Sequence, residues 1–219
     1  AKADTPKMPT IKWRLASGFP TSLDIIYGTG ERLAKRVFEM TDGKFQIQSY
    51  GANEIVPASQ VFDAVQQGSV EMGHVPSNYY HGKNKAFSID TTRPFGMTTR
   101  MHNAWYSAGG GDKLLRELFG KHNIVNFLGG NSNTQMGGWF RKEVKSVEDL
   151  KGLKFRIPGF GGEIFSRLGV ITQNIAPSDV YSALERGTID ATEFIGPYDD
   201  EKLGFQAVAP YYYVPGFAE

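Results

Sequence analysis

The chain has 219 residues, 40% of them hydrophobic and 21% charged, enough apolar material for one large domain or two modest lobes, which excludes global disorder. Lysine and arginine number 24 against 23 aspartates and glutamates, a formal charge of +1 that leaves no broad basic footprint for nucleic acid or an anionic membrane. Cysteine is absent, which excludes disulfides, thiol nucleophiles and cysteine-ligated zinc or iron–sulfur centres, while 13% aromatics and 26 glycines suit clefts lined with rings and many tight turns.

The opening Ala1-Lys2-Ala3-Asp4-Thr5-Pro6-Lys7 is polar and small, compatible with a mature exported chain or a cytosolic one. Ile11 to Ala16 reads as a strand ending in a Gly18-Phe19-Pro20-Thr21 turn. A helix is expected from about Ser22 to Met40, with Ile26, Leu33, Val37 and Met40 on one face and Thr41-Asp42-Gly43 stopping it. Phe45 and Ile47 alternate with polar neighbours in a strand from Lys44 to Tyr50. A helix from about Ser59 to Gln67 and a strand from Ser69 to Val75 follow, then a polar loop from Pro76. Arg100 to Phe119 reads as helix interrupted at Gly109-Gly110-Gly111, and Ile124 to Leu128 as an apolar strand. Ser146-Val147-Glu148-Asp149 resembles a capping box before a strand at Lys154. This alternation predicts an α/β protein with mainly parallel central sheets. No run approaches the ~18–20 apolar residues of a membrane span.

The segment from Ser59 to Glu71 lies over Ser178 to Asp190, sharing Ser, Val, Ala and Gly at matched positions, with Phe62/Tyr181 and Glu71/Asp190 as near matches. Upstream, Lys44-Phe45-Gln46-Ile47 is echoed by Lys154-Phe155-Arg156-Ile157. A spacing of more than about 100 residues is too long for a solenoid and reads as two similar strand–helix–strand lobes.

Enzyme signatures are weak. The four histidines form neither HExxH nor an i,i+4 pair and read as surface or loop residues. Gly28-Thr29-Gly30 lacks the third glycine of a dinucleotide fingerprint, and no phosphate-binding P-loop or GxSxG elbow occurs. What remains is a constellation of Asn133, Gln135, Arg156, Glu193 and Phe194 at or near predicted strand ends, where α/β folds place ligands. Arg156 sits between Phe155 and Ile157, so its guanidinium needs an anionic partner. That partner is either a ligand carboxylate gripped by the planar fork or an internal ion pair with Glu193 or Asp190. Gln135 and Glu193 offer hard oxygens, suited to Na⁺ or Ca²⁺ rather than zinc.

The runs Gln135-Met136-Gly137-Gly138-Trp139-Phe140, Glu148-Asp149-Leu150-Lys151-Gly152-Leu153-Lys154-Phe155-Arg156-Ile157-Pro158-Gly159 and Ala183-Leu184-Glu185-Arg186-Gly187-Thr188-Ile189-Asp190-Ala191-Thr192-Glu193 resemble the solute-binding proteins of TRAP (tripartite ATP-independent periplasmic) transporters. Gln135 to Trp139 and Ala191 to Tyr198 are similar to the branch that binds α-keto acids and lactate. The resemblance runs along the whole chain, including Gly18-Phe19-Pro20 and Asn78-Tyr79-Tyr80. It implies a periplasmic, non-enzymatic receptor of the two-lobed, type II-like periplasmic-binding-protein fold with a hinge. The lobes are expected at 1–128 and 129–205, with 206–219 crossing back toward the first and the C-terminal part missing.

By the same resemblance, Arg156 matches the arginine that clamps the substrate carboxylate. Gln135, Glu193 and the Phe194 carbonyl match ligands of a Na⁺ or Ca²⁺ ion that bridges to a 2-oxo or 2-hydroxy monocarboxylate. Phe194 stands where relatives commonly carry tryptophan. Phe19 and either Tyr79 or Tyr80 match first-lobe contacts, and Asn133 a polar one. Implied partners are the organic acid and the TRAP membrane permease, with no nucleic acid, no membrane insertion, and a homodimer only if the missing C-terminal part is present. Two competing readings stand beside this one. The first is a two-lobed enzyme with Glu193 as general base; the second is a receptor for a dicarboxylate or sugar acid, for which Arg93 and Arg100 are the further arginines available.

Overall fold

The computed structural model describes residues 8–217; the polar opening Ala1–Lys7 and the last two residues lie outside it. In chain order the main elements are β1 (Ile11–Ser17), α1 (Tyr27–Met40), β2 (Phe45–Tyr50), α2 (Val61–Gln66), β3 (Met72–His74), α3 (Thr99–Ala108), α4 (Gly111–Gly120), β4 (Gly138–Phe140), β5 (Lys154–Arg156), α5 (Gly159–Arg167), β6 (Ile171–Gln173), α6 (Pro177–Glu185), β7 (Ala191–Thr192), α7 (Pro197–Lys202), α8 (Phe205–Val208) and β8 (Tyr211–Tyr213). The α/β class is as expected. The described residues form two compact units, 8–75 with 119–130, and 76–118 with 131–217.

This division differs from lobes at 1–128 and 129–205. Segment 76–118 joins the second unit because its buried polar side chains are used there: Asn78, Ser88 and Thr92 crowd against Gly159 at the start of α5. The described part of the expected crossover, 206–217, also stays in that unit, since β8 extends its sheet and the Phe95 N–H donates to the Phe217 carbonyl.

The first unit holds an all-parallel sheet in the order β2-β1-β3. Ala16, Val61, Ala64 and Val70 form its core beneath α2. The buried stripe of α1 is not the one expected. Leu33 and Met40 are 42% and 51% exposed, whereas Tyr27 and Gly30 are buried, Gly30 lying against Leu15 and Ser49. The helix also begins later, at Tyr27, because Leu23 dips fully into the core within a run of turns. Ile124 to Phe127 alternates half-buried and exposed residues as a strand would, yet the run to Leu128 forms no ladder among the described residues.

The second sheet is mixed, in the order β6-β5-β7-β4-β8, while the pairings of the two sheets together are mainly parallel, as expected. β5 pairs parallel with β6 and β7, while β4 runs antiparallel to β7 and β8. Phe140, Phe155, Ile157 and Ala191 make its core, with Phe155 edge-on to Phe165 at 5.2 Å. Removing a fully buried ring such as Phe155 costs about 3–5 kcal/mol.

The internal repeat survives in geometry. Gly68 and Gly187 have φ of +71° and +70°, a conformation that penalises any Cβ. In both copies the next two N–H groups donate back to the same helical carbonyl, Ala64 or Ala183, at 2.9 and 3.3 Å. The upstream echo does not hold: β5 is flanked on both sides, as β1 is, whereas β2 is an edge strand. Connection order, not the Lys-Phe-x-Ile pattern, fixes which strands correspond.

Candidate functional site

The second unit gathers Arg156, Tyr79, Glu193 and Phe194. Arg156 ends β5, and flanking apolar residues draw that strand into the core, so the guanidinium is only 1% exposed. Its Nε donates to the Ile175 carbonyl at 3.1 Å, Nη1 to the Glu193 carbonyl at 2.6 Å, and Nη2 to the Tyr79 hydroxyl at 3.3 Å. The Phe194 and Tyr79 rings lie 5.6 and 5.9 Å from its central carbon. Three of five guanidinium N–H groups are thereby engaged; among the described residues, the other two have no hydrogen-bond acceptor.

The internal ion pair weighed from sequence is partly present. Glu193 Oε2 lies 3.8 Å from Arg156 Nη1, a Coulombic contact without a hydrogen bond. Asp190 instead accepts from the Lys154 N–H at 3.0 Å and lies 3.9 Å from Arg141. Burial pushes the Glu193 carboxyl up to about 8; Arg156 opposes the rise and Asp200 adds to it. Desolvation outweighs the nearby cation because Nη1 spends its short bond on the backbone carbonyl rather than on the carboxyl.

Gln135 precedes β4 and is 8% exposed, its Nε2 donating to Ser132 Oγ at 3.2 Å. The backbone sets it opposite the Glu193 loop, since the Met136 N–H donates to the Ile195 carbonyl at 2.9 Å. Gln135 Oε1 and Glu193 Oε1 are both buried without a hydrogen-bond partner among the described residues. An orphaned buried oxygen is costly, and a bound cation satisfies it. Among the described residues, no group of three or more His, Asp and Glu side chains is arranged to hold a metal ion by itself. The donor set therefore fits a hard cation held by amide, carboxylate and carbonyl oxygens.

Tyr80, 3% exposed, faces the core, so the 3-10 turn Ser77–Tyr80 delivers Tyr79 and not its neighbour to the guanidinium. Asn133 is exposed at φ +66°, accepting from Thr99 Oγ1 at 3.2 Å, with no contact to Arg156 among the described residues. Phe19 belongs to the first unit, where its ring meets His74 edge-on at 5.3 Å. Arg100 is exposed and Arg93 half-buried. The histidines are not all surface residues: His102 is 7% exposed and stacked on Trp105, and burial pushes the His74 imidazole down.

One residue escaped the sequence reading. Asp200, 1% exposed, accepts from Trp139 Nε1 at 2.8 Å and from the Ile195 and Gly196 N–H groups at 3.1 and 3.2 Å. Burial pushes its carboxyl up to about 6 against those three donors. A tryptophan four residues after Gln135 was the available signal, because a buried indole N–H requires an acceptor.

The model of the family described as DctP, bacterial extracellular solute-binding protein, family 7, matches residues 16–218. A monocarboxylate 2-oxoacid-binding periplasmic protein of Nostoc sp. (strain PCC 7120) is 50% identical over 212 residues, covering 97% of this chain and 58% of that protein. A TRAP transporter solute binding protein from Bordetella bronchiseptica, crystallised with copurified calcium and picolinate, is 57% identical with a TM-score of 0.92, over 95% of this chain and 62% of that one. One from Pseudoalteromonas atlantica, with bound sodium and pyruvate, is 45% identical with a TM-score of 0.92, over 95% of this chain and 64% of that one. The chain thus spans about three fifths of the length of these relatives. With a fold of this likeness and a family match running from β1 to the end of the described residues, the chain belongs to the DctP family of bacterial extracellular solute-binding proteins.

Proposed function

We propose that the protein carrying this chain is a periplasmic TRAP receptor that captures a small 2-oxo or 2-hydroxy monocarboxylate together with Na⁺ or Ca²⁺ and hands it to the membrane permease. The observation that carries this reading is Arg156: a buried guanidinium with two N–H groups to spare beside Glu193, in the same unit as Gln135, where Glu193 Oε1 and Gln135 Oε1 are both buried without a hydrogen-bond partner among the described residues. Arg156 receives the ligand carboxylate in its fork. Gln135 Oε1, Glu193 Oε1 and the Phe194 carbonyl hold the cation, which when bound supplies positive charge to a second ligand oxygen. A cation there also draws the Glu193 carboxyl toward its ionised form, against the desolvation that raises it. The 2-oxoacid-binding relative and the pyruvate-bound neighbour support this ligand class. Among the described residues, no helix is long and apolar enough to cross a membrane.

Isothermal calorimetry of the whole protein with pyruvate tests the assignment. Arg156→Ala is expected to weaken binding by at least about 30-fold, the scale of truncating one partner of a buried charged contact. Arg156→Lys should lose most of the affinity as well, because a point charge cannot reproduce the fork. Unchanged affinity in Arg156→Ala overturns the reading. The protein acts as a receptor and not as an enzyme, so pyruvate recovered after prolonged incubation should be chemically unaltered.

A further inference from the structure

We propose that Asp200 and Trp139 are a positioning pair that fixes the cation donors Gln135 and Glu193 relative to one another, and so sets the cation requirement of ligand capture. This deepens the reading above and rests on it. The two donors come from separate stretches of chain, Gln135 from the approach to β4 and Glu193 from the end of β7. Two links join those stretches beyond the strand ladder. One is the backbone bond from the Met136 N–H to the Ile195 carbonyl. The other is Asp200, whose Oδ1 gathers the Ile195 and Gly196 N–H groups while Oδ2 accepts from Trp139 Nε1 at 2.8 Å.

The Asp200 N–H in turn donates to the Gly196 carbonyl at 2.9 Å, closing the turn that follows Phe194. Trp139 is held on its other side by Tyr212, stacked at 4.1 Å. A helix-capping role for Asp200 on α7 accounts for the two backbone contacts of Oδ1. It does not account for Oδ2, which reaches to a different strand. Buried at 1% exposure, this carboxylate is tolerable only because all three donors are fixed in place. Neither side chain contacts Arg156 among the described residues, so both act through the donors rather than on the ligand.

The test uses the whole protein and two readouts: the thermal shift produced by CaCl₂ alone, and the Ca²⁺ dependence of pyruvate binding by calorimetry. Trp139→Phe removes the indole donor and keeps a ring for Tyr212 to stack on. Asp200→Asn turns an amide N–H toward the indole N–H. Each is expected to raise the Ca²⁺ concentration at half-maximal shift by about tenfold, the lower end of the loss seen when a metal ligand's outer partner is removed. Pyruvate affinity at saturating Ca²⁺ should stay within about threefold of wild type, and the double variant should be no worse than Asp200→Asn, since the donor–donor clash is gone.

A lowered melting temperature with an unchanged Ca²⁺ midpoint in Trp139→Phe and Asp200→Asn marks a purely structural role and overturns the proposal. If Asp200→Asn does not fold, Trp139→Phe alone decides by its Ca²⁺ midpoint. Gln135→Ala and Glu193→Gln run alongside. If these leave the Ca²⁺ midpoint unmoved, the cation site itself is wrong; if they shift it while the Trp139 and Asp200 variants do not, only the positioning role fails.

Discussion

At 3.3 Å, the bond from Arg156 Nη2 to the Tyr79 hydroxyl is the longest of the three that hold the guanidinium, and so the one an arriving carboxylate displaces at least cost. Burial pushes the Tyr79 phenol up, so it remains a neutral hydroxyl at physiological pH. Tyr79→Phe keeps the ring near Arg156 and should change pyruvate affinity by less than about tenfold, whereas Tyr79→Ala should lose more. Tyr80→Phe should leave affinity unchanged; calorimetry on the three variants checks the order. At this scale Arg156 was legible because a charge embedded in an apolar strand must be explained, and Glu193 because it offers a hard oxygen at a strand end. The choice between Tyr79 and Tyr80 was not, because a 3-10 turn points neighbours about 120° apart instead of to opposite faces. Asp200 was hidden for a different reason. Asp199-Asp200-Glu201-Lys202 reads as the solvated start of a helix, and only the fold buries its first two residues.

Among the elements, the first sheet carries an ion pair that reports its own integrity. Arg14 of β1 donates to both carboxylate oxygens of Glu71, at 3.1 and 2.9 Å, and to the Ser69 carbonyl at 2.7 Å. The Glu71 carboxylate also accepts from the Arg14 backbone N–H at 2.8 Å. These bonds hold the Glu71 carboxyl down at about 2, below its ordinary 4.5. A depressed carboxyl contributes stability that is fully present above pH 4.5 and is lost as pH falls toward 2. The melting-temperature gap between wild type and Glu71→Gln should therefore shrink steadily from pH 5 to pH 2.5. A constant gap would show that the pair does not titrate with folding. Solvent screening keeps its magnitude small. The element map itself was readable where local chemistry decides, as at the twin helix–glycine turns of Gly68 and Gly187. It was not readable where tertiary contacts decide. The face of α1 is chosen by the fit of Gly30 against Leu15, and strand-like Ile124 to Leu128 lacks a ladder among the described residues.

For the whole molecule, the proposed site makes cation and ligand binding one linked equilibrium, because both converge on the same buried groups. If Ca²⁺ raises the affinity for pyruvate by some factor, pyruvate must raise the affinity for Ca²⁺ by that factor. Without a cation, Gln135 Oε1 and Glu193 Oε1 stay orphaned and the Glu193 carboxyl holds its proton near neutral pH, its value being about 8. A proton and a cation then compete for the same carboxyl, so cation affinity should rise as pH climbs from 6 through 8 and level off above it. Pyruvate at 100 times its dissociation constant should stabilise the protein by about 2.7 kcal/mol when Na⁺ or Ca²⁺ is present. In chelator and sodium-free buffer most of that stabilisation should vanish, and it should return on adding either ion. Thermal melts across pH with each ion, scored for the reciprocal factor, decide the matter: equal pyruvate shifts with and without cation would detach Gln135 and Glu193 from ligand capture and leave Arg156 to act alone.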